Sequence, residues 1–218
     1  MSLASPTQPD SRPEISAETA KCRQIIEGAR RCFLASGFEA ASMGEIAREA
    51  KVSKGTLYVY FDSKEALFTA LVEQTKRASA ERLIELDEHA DDDVAATLTD
   101  FAIGFIGKLS APDHVALVRM VIGAAEKFPG IARSFFEAGP AHGAGRLARY
   151  FEEQRRRGRL EMADPEAVAW QFLGMCHHPA MTRVVLGARP APDADETRRI
   201  AEAAVAVLLA AYGAKPRP

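Results

Sequence analysis

The chain has 218 residues, 47% of them apolar, and carries 28 basic against 30 acidic side chains. That length allows one sizeable core or two small domains, and a net charge of −2 excludes a polycation that grips nucleic acid over its whole surface. An odd set of three cysteines, Cys22, Cys32 and Cys176, argues against a secreted disulfide scaffold.

Residues 1–15 are polar and proline-rich and read as a disordered arm. They lack the apolar segment of a signal peptide, and no apolar run reaches the ~18–20 residues that cross a bilayer; the cytoplasm is the expected location. The first helix is expected from Ser16 to Ser36, stopped by Gly37, with Cys22, Ile25, Ile26, Ala29, Cys32 and Phe33 as its apolar stripe. Cys22 and Cys32 would then lie roughly 15 Å apart along its axis, too far for a bridge.

Ser42 and Glu45 make a capping box for a short second helix that buries Met43, Ile46, Ala47 and Ala50. After a break at Lys51-Val52, Ser53 caps a third helix ending near Tyr60. A fourth starts at Lys64, capped by Asp62 or Ser63, with Asp62 and Glu65 as a second capping box, and continues past Leu86 to the acidic turn DEHADDD. Further helices are expected at 94–109, 114–128 and 131–157, the last broken or kinked at Gly139-Pro140. Arg155, Arg156 and Arg157 suit the C-terminal end of that helix. Asp164-Pro165 opens a helix to about Leu186, bent at Pro179, and 194–212 forms the last one. The fold class is all-α.

Two short helices after a longer one make a helix-turn-helix, whose second short helix lies in the DNA major groove. Here that helix begins Ser53-Lys54-Gly55-Thr56 and is anchored by Val52, Leu57 and Phe61. Lys54, Thr56, Tyr58 and Tyr60 remain for bases and phosphates, and Gly55 permits close approach. Lys64 and Ser42, each at a helix start, are further phosphate candidates. The charge bias agrees: residues 16–77 hold ten basic and eight acidic side chains.

The stretch GFEAASMGEIAREAKVSKGTLYVYFDSKEALF closely resembles the N-terminal domain of the TetR family of bacterial transcriptional regulators. The resemblance covers residues 20–75, and FPGIARSFFEAGPAHGAGRLARYFEEQRRRGRLEMADPEAVAWQFLGM looks like one branch of that family. It implies an all-α homodimer that binds a palindromic double-stranded operator through residues 16–62. Residues 63–218 would bind a small effector and dimerise. It also implies DNA contacts at Ser42, Ser53, Lys54, Gly55, Thr56, Tyr58, Tyr60 and Lys64. Lys51 departs from the family's usual turn glycine; a left-handed lysine there costs on the order of 1 kcal/mol.

The final two helices are apolar on more than one face, so one face should meet a second subunit. His177, Met181, Ala204, Val207, Leu208 and Ala211 are the expected contacts. Pocket candidates are Phe101, Phe105, Leu109, Met120, Phe128, Phe135, Phe136, Trp170 and Met175. Adjacent His177 and His178 point about 100° apart and make a poor metal pair; no metal or cofactor is expected. The expected function is a ligand-responsive, non-enzymatic DNA-binding repressor, with two recognition helices about 34–36 Å apart. Ligand would release DNA by favouring a conformer with the wrong spacing, transmitted along the fourth helix. The rivals are an enzyme, for which no nucleophile–base pair is visible, and a helical interaction protein without DNA binding.

Overall fold

Apolar residues recurring at helical spacing bury one stripe on nearly every element of the computed structural model, which describes residues 12–74, 93–178 and 180–214. The chain divides into two compact units, Met1–Leu71 and Val72–Pro218. In the first lie α1 (Arg12–Ala40), α2 (Met43–Glu49), α3 (Lys54–Tyr60) and most of α4 (64–74). In the second lie α5 (Val94–Ser110), α6 (Pro112–Ala124), α7 (Pro129–Phe136), a π-turn (Glu137–Ala141), α8 (His142–Arg156), α9 (Pro165–His177), α10 (Ala180–Val185) and α11 (Ala194–Tyr212).

The first unit is built on three phenylalanines. Gly37, at φ 77, breaks the α1 path and returns Phe38 to within 5.2 Å of the Phe33 ring. Phe68 of α4 completes the cluster, edge-on to Phe33 and Phe38. Because Leu67, Phe68 and Leu71 are buried too, the compact unit runs on to Leu71, beyond the residue 62 boundary expected from sequence. Helix α1 starts at Arg12, inside the segment expected to be a disordered arm. The acidic turn up to Asp92 and the fourth helix beyond residue 74 lie outside the described residues.

In the second unit, α8 packs on α9, and α11 packs on both α5 and α9. Their shared core holds Leu98, Ala102, Leu147, Phe151, Phe172, Ala201 and Leu208. Aspartates start three of the helices: Asp93, Asp164 and Asp193 each accept backbone N–H bonds from the first turn. After α8 the chain pairs with the end of α11, the Glu161 amide donating to the Tyr212 carbonyl at 2.7 Å and the Ala214 amide to that of Arg159 at 3.0 Å. A Cβ at Gly213 would stand 2.5 Å from the Leu209 carbonyl oxygen, so this clasp requires glycine.

At Gly139-Pro140, where a break or kink was expected, the chain widens into the π-turn around Pro140, which relieves the missing N–H. The helix expected through Leu186 ends at His177, because His178 precedes a proline and is extended, at φ −99, ψ 138. Pro179 itself lies outside the described residues. No single helix among the described residues is long and apolar enough to cross a membrane.

Candidate nucleic-acid interface

The turn between α2 and α3 is a Schellman motif made without glycine. Lys51 takes φ 55, its amide donates to the Arg48 carbonyl, and the Val52 amide donates to that of Ala47 at 2.9 Å. The left-handed cost expected for Lys51 is therefore present. The Ser42–Glu45 capping box forms on α2: the Glu45 amide donates to Ser42 Oγ, and the Ser42 amide donates to Glu45 Oε2 at 3.0 Å. These bonds from Ser42 hold the Glu45 carboxyl below its usual range. Ser53 caps α3 through the Thr56 amide and shares a 2.8 Å hydrogen bond with the Thr56 hydroxyl. On α4 the cap is Ser63, which accepts from the Ala66 amide.

Helix α3 has a sharp inside and outside. Leu57 is wholly buried, whereas Lys54, Gly55, Tyr58 and Val59 face outward and Thr56 and Tyr60 are half-buried. The Lys54 side chain lies over Gly44 at the start of α2, where an added Cβ would sit 3.0 Å from its Cε. Ser42, Ser53, Lys54, Gly55, Thr56, Tyr58 and Tyr60 thus gather on α2 and α3.

Lys64, on α4, reaches the chain just before Ser42. Its ammonium donates to the carbonyls of Phe38 (3.0 Å), Glu39 (2.8 Å) and Ala41 (3.3 Å) and lies 4.8 Å from the Phe38 ring centroid. It closes the C-terminal end of α1, whose last carbonyls have no intrahelical partner. The ammonium that was expected at a phosphate is hydrogen-bonded here to the chain's own carbonyls.

Three residues missed by sequence reasoning hold α2 in place. A Cβ on Gly28 would lie 2.6 Å from Ala50 Cβ and 2.7 Å from its Cα, so α1 and the end of α2 meet backbone to backbone. Gln24 Nε2 donates to the Ala50 carbonyl at 2.7 Å, and Arg31 bonds both the Glu49 carboxylate and its carbonyl. A glycine inside the α1 stripe was the available signal. Val59, 81% exposed on α3, was also passed over.

In the second unit, α9 and α11 border an open groove of about 660 Å³, lined by Val168, Gln171, Phe172, Gly174, Met175, His178, Val207, Leu208, Ala211 and Tyr212. Tyr212 donates to Gln171 Oε1 at 2.9 Å across it. Of the expected pocket residues only Met175 lines this groove. Phe101 and Phe105 stack 5.9 Å apart at the edge of the core, while Leu109 packs on Val115 and Met181. Met120 and Phe128 are half-buried, and Phe135 faces the His114 ring. Phe136 and Trp170 stack parallel at 6.0 Å on the surface, 52% and 39% exposed, which removes them from an interior pocket.

Among the expected subunit contacts, Met181, Ala204 and Leu208 are buried within the protomer and offer no area to a partner. Ala204 and Leu208 turn inward because α11 packs on α5 and α9, whereas Met181, on α10, packs on Val115 of α6. His177, Val207 and Ala211 are exposed, and Ala203, Ala206 and Ala210 continue the Val207 face. The basic run after Tyr150 pairs with acids: Arg155 with Glu152 at 2.9 Å, and Arg156 and Arg157 with Glu153. All three cysteines are free; burial raises the thiol pKa of Cys32 and pushes that of Cys176 up to about 12, leaving both inert. No cluster of three metal-ligating side chains forms among the described residues.

A helix-turn-helix unit followed by a separate helical unit defines a DNA-binding regulator. Residues 25–71 match the tetR family of bacterial regulatory proteins, and residues 96–214 match the C-terminal domain of AefR-like transcriptional repressors. The chain belongs to the TetR family. A TetR-family regulator from Mesorhizobium loti MAFF303099 superposes with a TM-score of 0.83 at 27% identity, over 94% of this chain and all of that one. The flavonoid-responsive regulator FrrA gives 0.76 at 32% identity, over 91% and 100%. The transcriptional regulator YuxN of Bacillus subtilis is 30% identical over 44% of this chain and 33% of its own. The repressor AcnR of Corynebacterium efficiens is 36% identical over 29% and 34%. The matched segments thus span about a third of these curated relatives.

Proposed function

We propose that the chain is a cytoplasmic, non-enzymatic repressor that binds a palindromic operator as a homodimer and leaves it when a small apolar effector binds. The outward face of α3 carries this reading: lysine, glycine and tyrosine stand together on the second helix of a helix-turn-helix. Lys54 reaches a guanine edge or phosphate, Tyr58 and Tyr60 donate to phosphates, and Ser42, Ser53 and Thr56 add neutral contacts. The partner subunit covers Ala203, Ala206, Val207 and Ala210 with the neighbouring face of α9, an exposed small and apolar surface of the kind that marks an interface. Effector contacts fall to Phe101, Phe105, Leu109, Met120 and Phe128. The flavonoid response of FrrA supports a flat aromatic effector, for which the stacked Phe101–Phe105 pair is suited.

The test is a mobility shift on DNA flanking the protein's own gene, with salt titration and nonspecific competitor, followed by a flavonoid titration. Wild type should give a discrete, salt-sensitive complex that the effector dissolves. Lys54→Ala should weaken it by about 1–3 kcal/mol and Tyr58→Phe by about 1 kcal/mol, the dimer remaining intact. Unchanged affinity in both variants would remove α3 from the DNA.

A further inference from the structure

We propose that Val59 is a specificity-determining residue, its methyl groups seated on the 5-methyl of one thymine in each operator half-site; this rests on the reading that α3 enters the major groove. Valine is 81% exposed here, on a seven-residue helix whose Leu57 is fully buried. A step of two residues turns about 200° around a helix, so Val59 points nearly opposite to that anchor. A β-branched residue gains nothing in helix propensity at this site, and burial within the protomer does not account for it.

Gly55 precedes Val59 by one turn, and a Cβ there would meet only Ser53 Oγ, at 3.8 Å. Together they leave a bare apolar notch beside the polar row of Lys54 and Tyr58. Exposed valines occur on ordinary surfaces, but this one shares its face with the groups that meet base edges. Lysine and tyrosine find acceptors on several bases and on phosphate. The apolar feature that the major groove displays is the thymine methyl. A valine at the notch therefore discriminates where its polar neighbours do not.

The experiment starts with full-length wild type selecting duplexes from a random-sequence pool. Affinity is then measured by fluorescence anisotropy on the enriched duplex and on versions with each thymine replaced by deoxyuridine, which lacks only the 5-methyl. One thymine per half-site should show about a fourfold loss on replacement, the worth of one buried methyl. Val59→Ala, which lacks the contact in both half-sites, should bind the thymine and uridine duplexes equally, and as weakly as wild type binds a duplex with uridine at that position in both half-sites. Thermal melts of both proteins should coincide, since the side chain is exposed. A uridine profile identical in wild type and Val59→Ala, or one with no sensitive thymine, overturns the proposal while leaving DNA binding intact. Failure of wild type to enrich any duplex overturns the DNA-binding reading beneath it.

Discussion

Lys54 and Lys64 carry the same charge near the same short helix, yet their surroundings assign them different work. Lys64 is encircled by carbonyl oxygens at the end of α1, whereas Lys54 is exposed beside Gly44. Salt dependence separates the two, because each neutralised phosphate adds about one unit to the slope of log affinity against log salt. Lys64→Met should leave that slope at the wild-type value while lowering stability by about 1–3 kcal/mol, the cost of losing charge-assisted hydrogen bonds. Lys54→Ala should lower the slope by about two, one unit for each subunit of the dimer. Anisotropy across a salt series with parallel urea melts gives both numbers, and a reduced slope in Lys64→Met would restore it as a phosphate contact.

Helix α2 is fixed at its end by contacts with α1, so its angle depends on a glycine outside the motif. Gly28→Ala must push Ala50 away or move the backbone of α1, since the nearest atoms are the Cβ, Cα and amide nitrogen of Ala50. Overpacking of this kind costs about 1–3 kcal/mol, and operator affinity should fall at least tenfold in a mobility shift even where circular dichroism shows a folded protein. Wild-type affinity in Gly28→Ala would show that the crossing tolerates a methyl. This contact joins residues far apart in the sequence, so local pattern did not reveal it. The Ser42–Glu45 box, the Ser53 cap and the Gly37 break were legible because each is settled within one turn of chain. The left-handed Lys51 was legible as a turn position but at odds with its residue type. Inward turning of Met181, Ala204 and Leu208 was hidden, because a helix apolar all round does not say which face meets its own core. The end of α9 at His178 follows from the residue after it, a local rule that a simple bend at proline overlooks.

For the whole molecule, assembly and acid stability are the measurable properties. Val207, 56% exposed on α11, is central to the proposed subunit contact. Val207→Glu should raise the dimer dissociation constant about 100-fold or more, since a carboxylate would be buried without a partner. Sedimentation velocity would show monomer at micromolar protein; an unchanged dimer would place the contact elsewhere. His114, largely buried on α6, has its imidazole pKa held down at about 4 from the usual 6.5 by burial, then by Lys108 and His177. Between those two values the unfolded chain binds a proton that the folded chain refuses, so stability rises with pH across the window and is lost as pH falls through it. The loss is on the order of 3 kcal/mol. His114→Phe, which keeps a ring against Phe135, should flatten urea midpoints between pH 7 and pH 4.5; an unchanged acid slope would exclude His114 as its source.

The sharp division of α3 into a buried Leu57 and an outward Gly55 and Val59 also bears on how such a gene can diversify. Substitutions at the outward positions alter no interior packing, so a duplicated copy can drift toward a new target without first losing its fold. Changes at Gly28 or Lys64 carry a folding cost whatever sequence is read. The inheritance of shape and the inheritance of address are therefore written in separate residues of the same small unit.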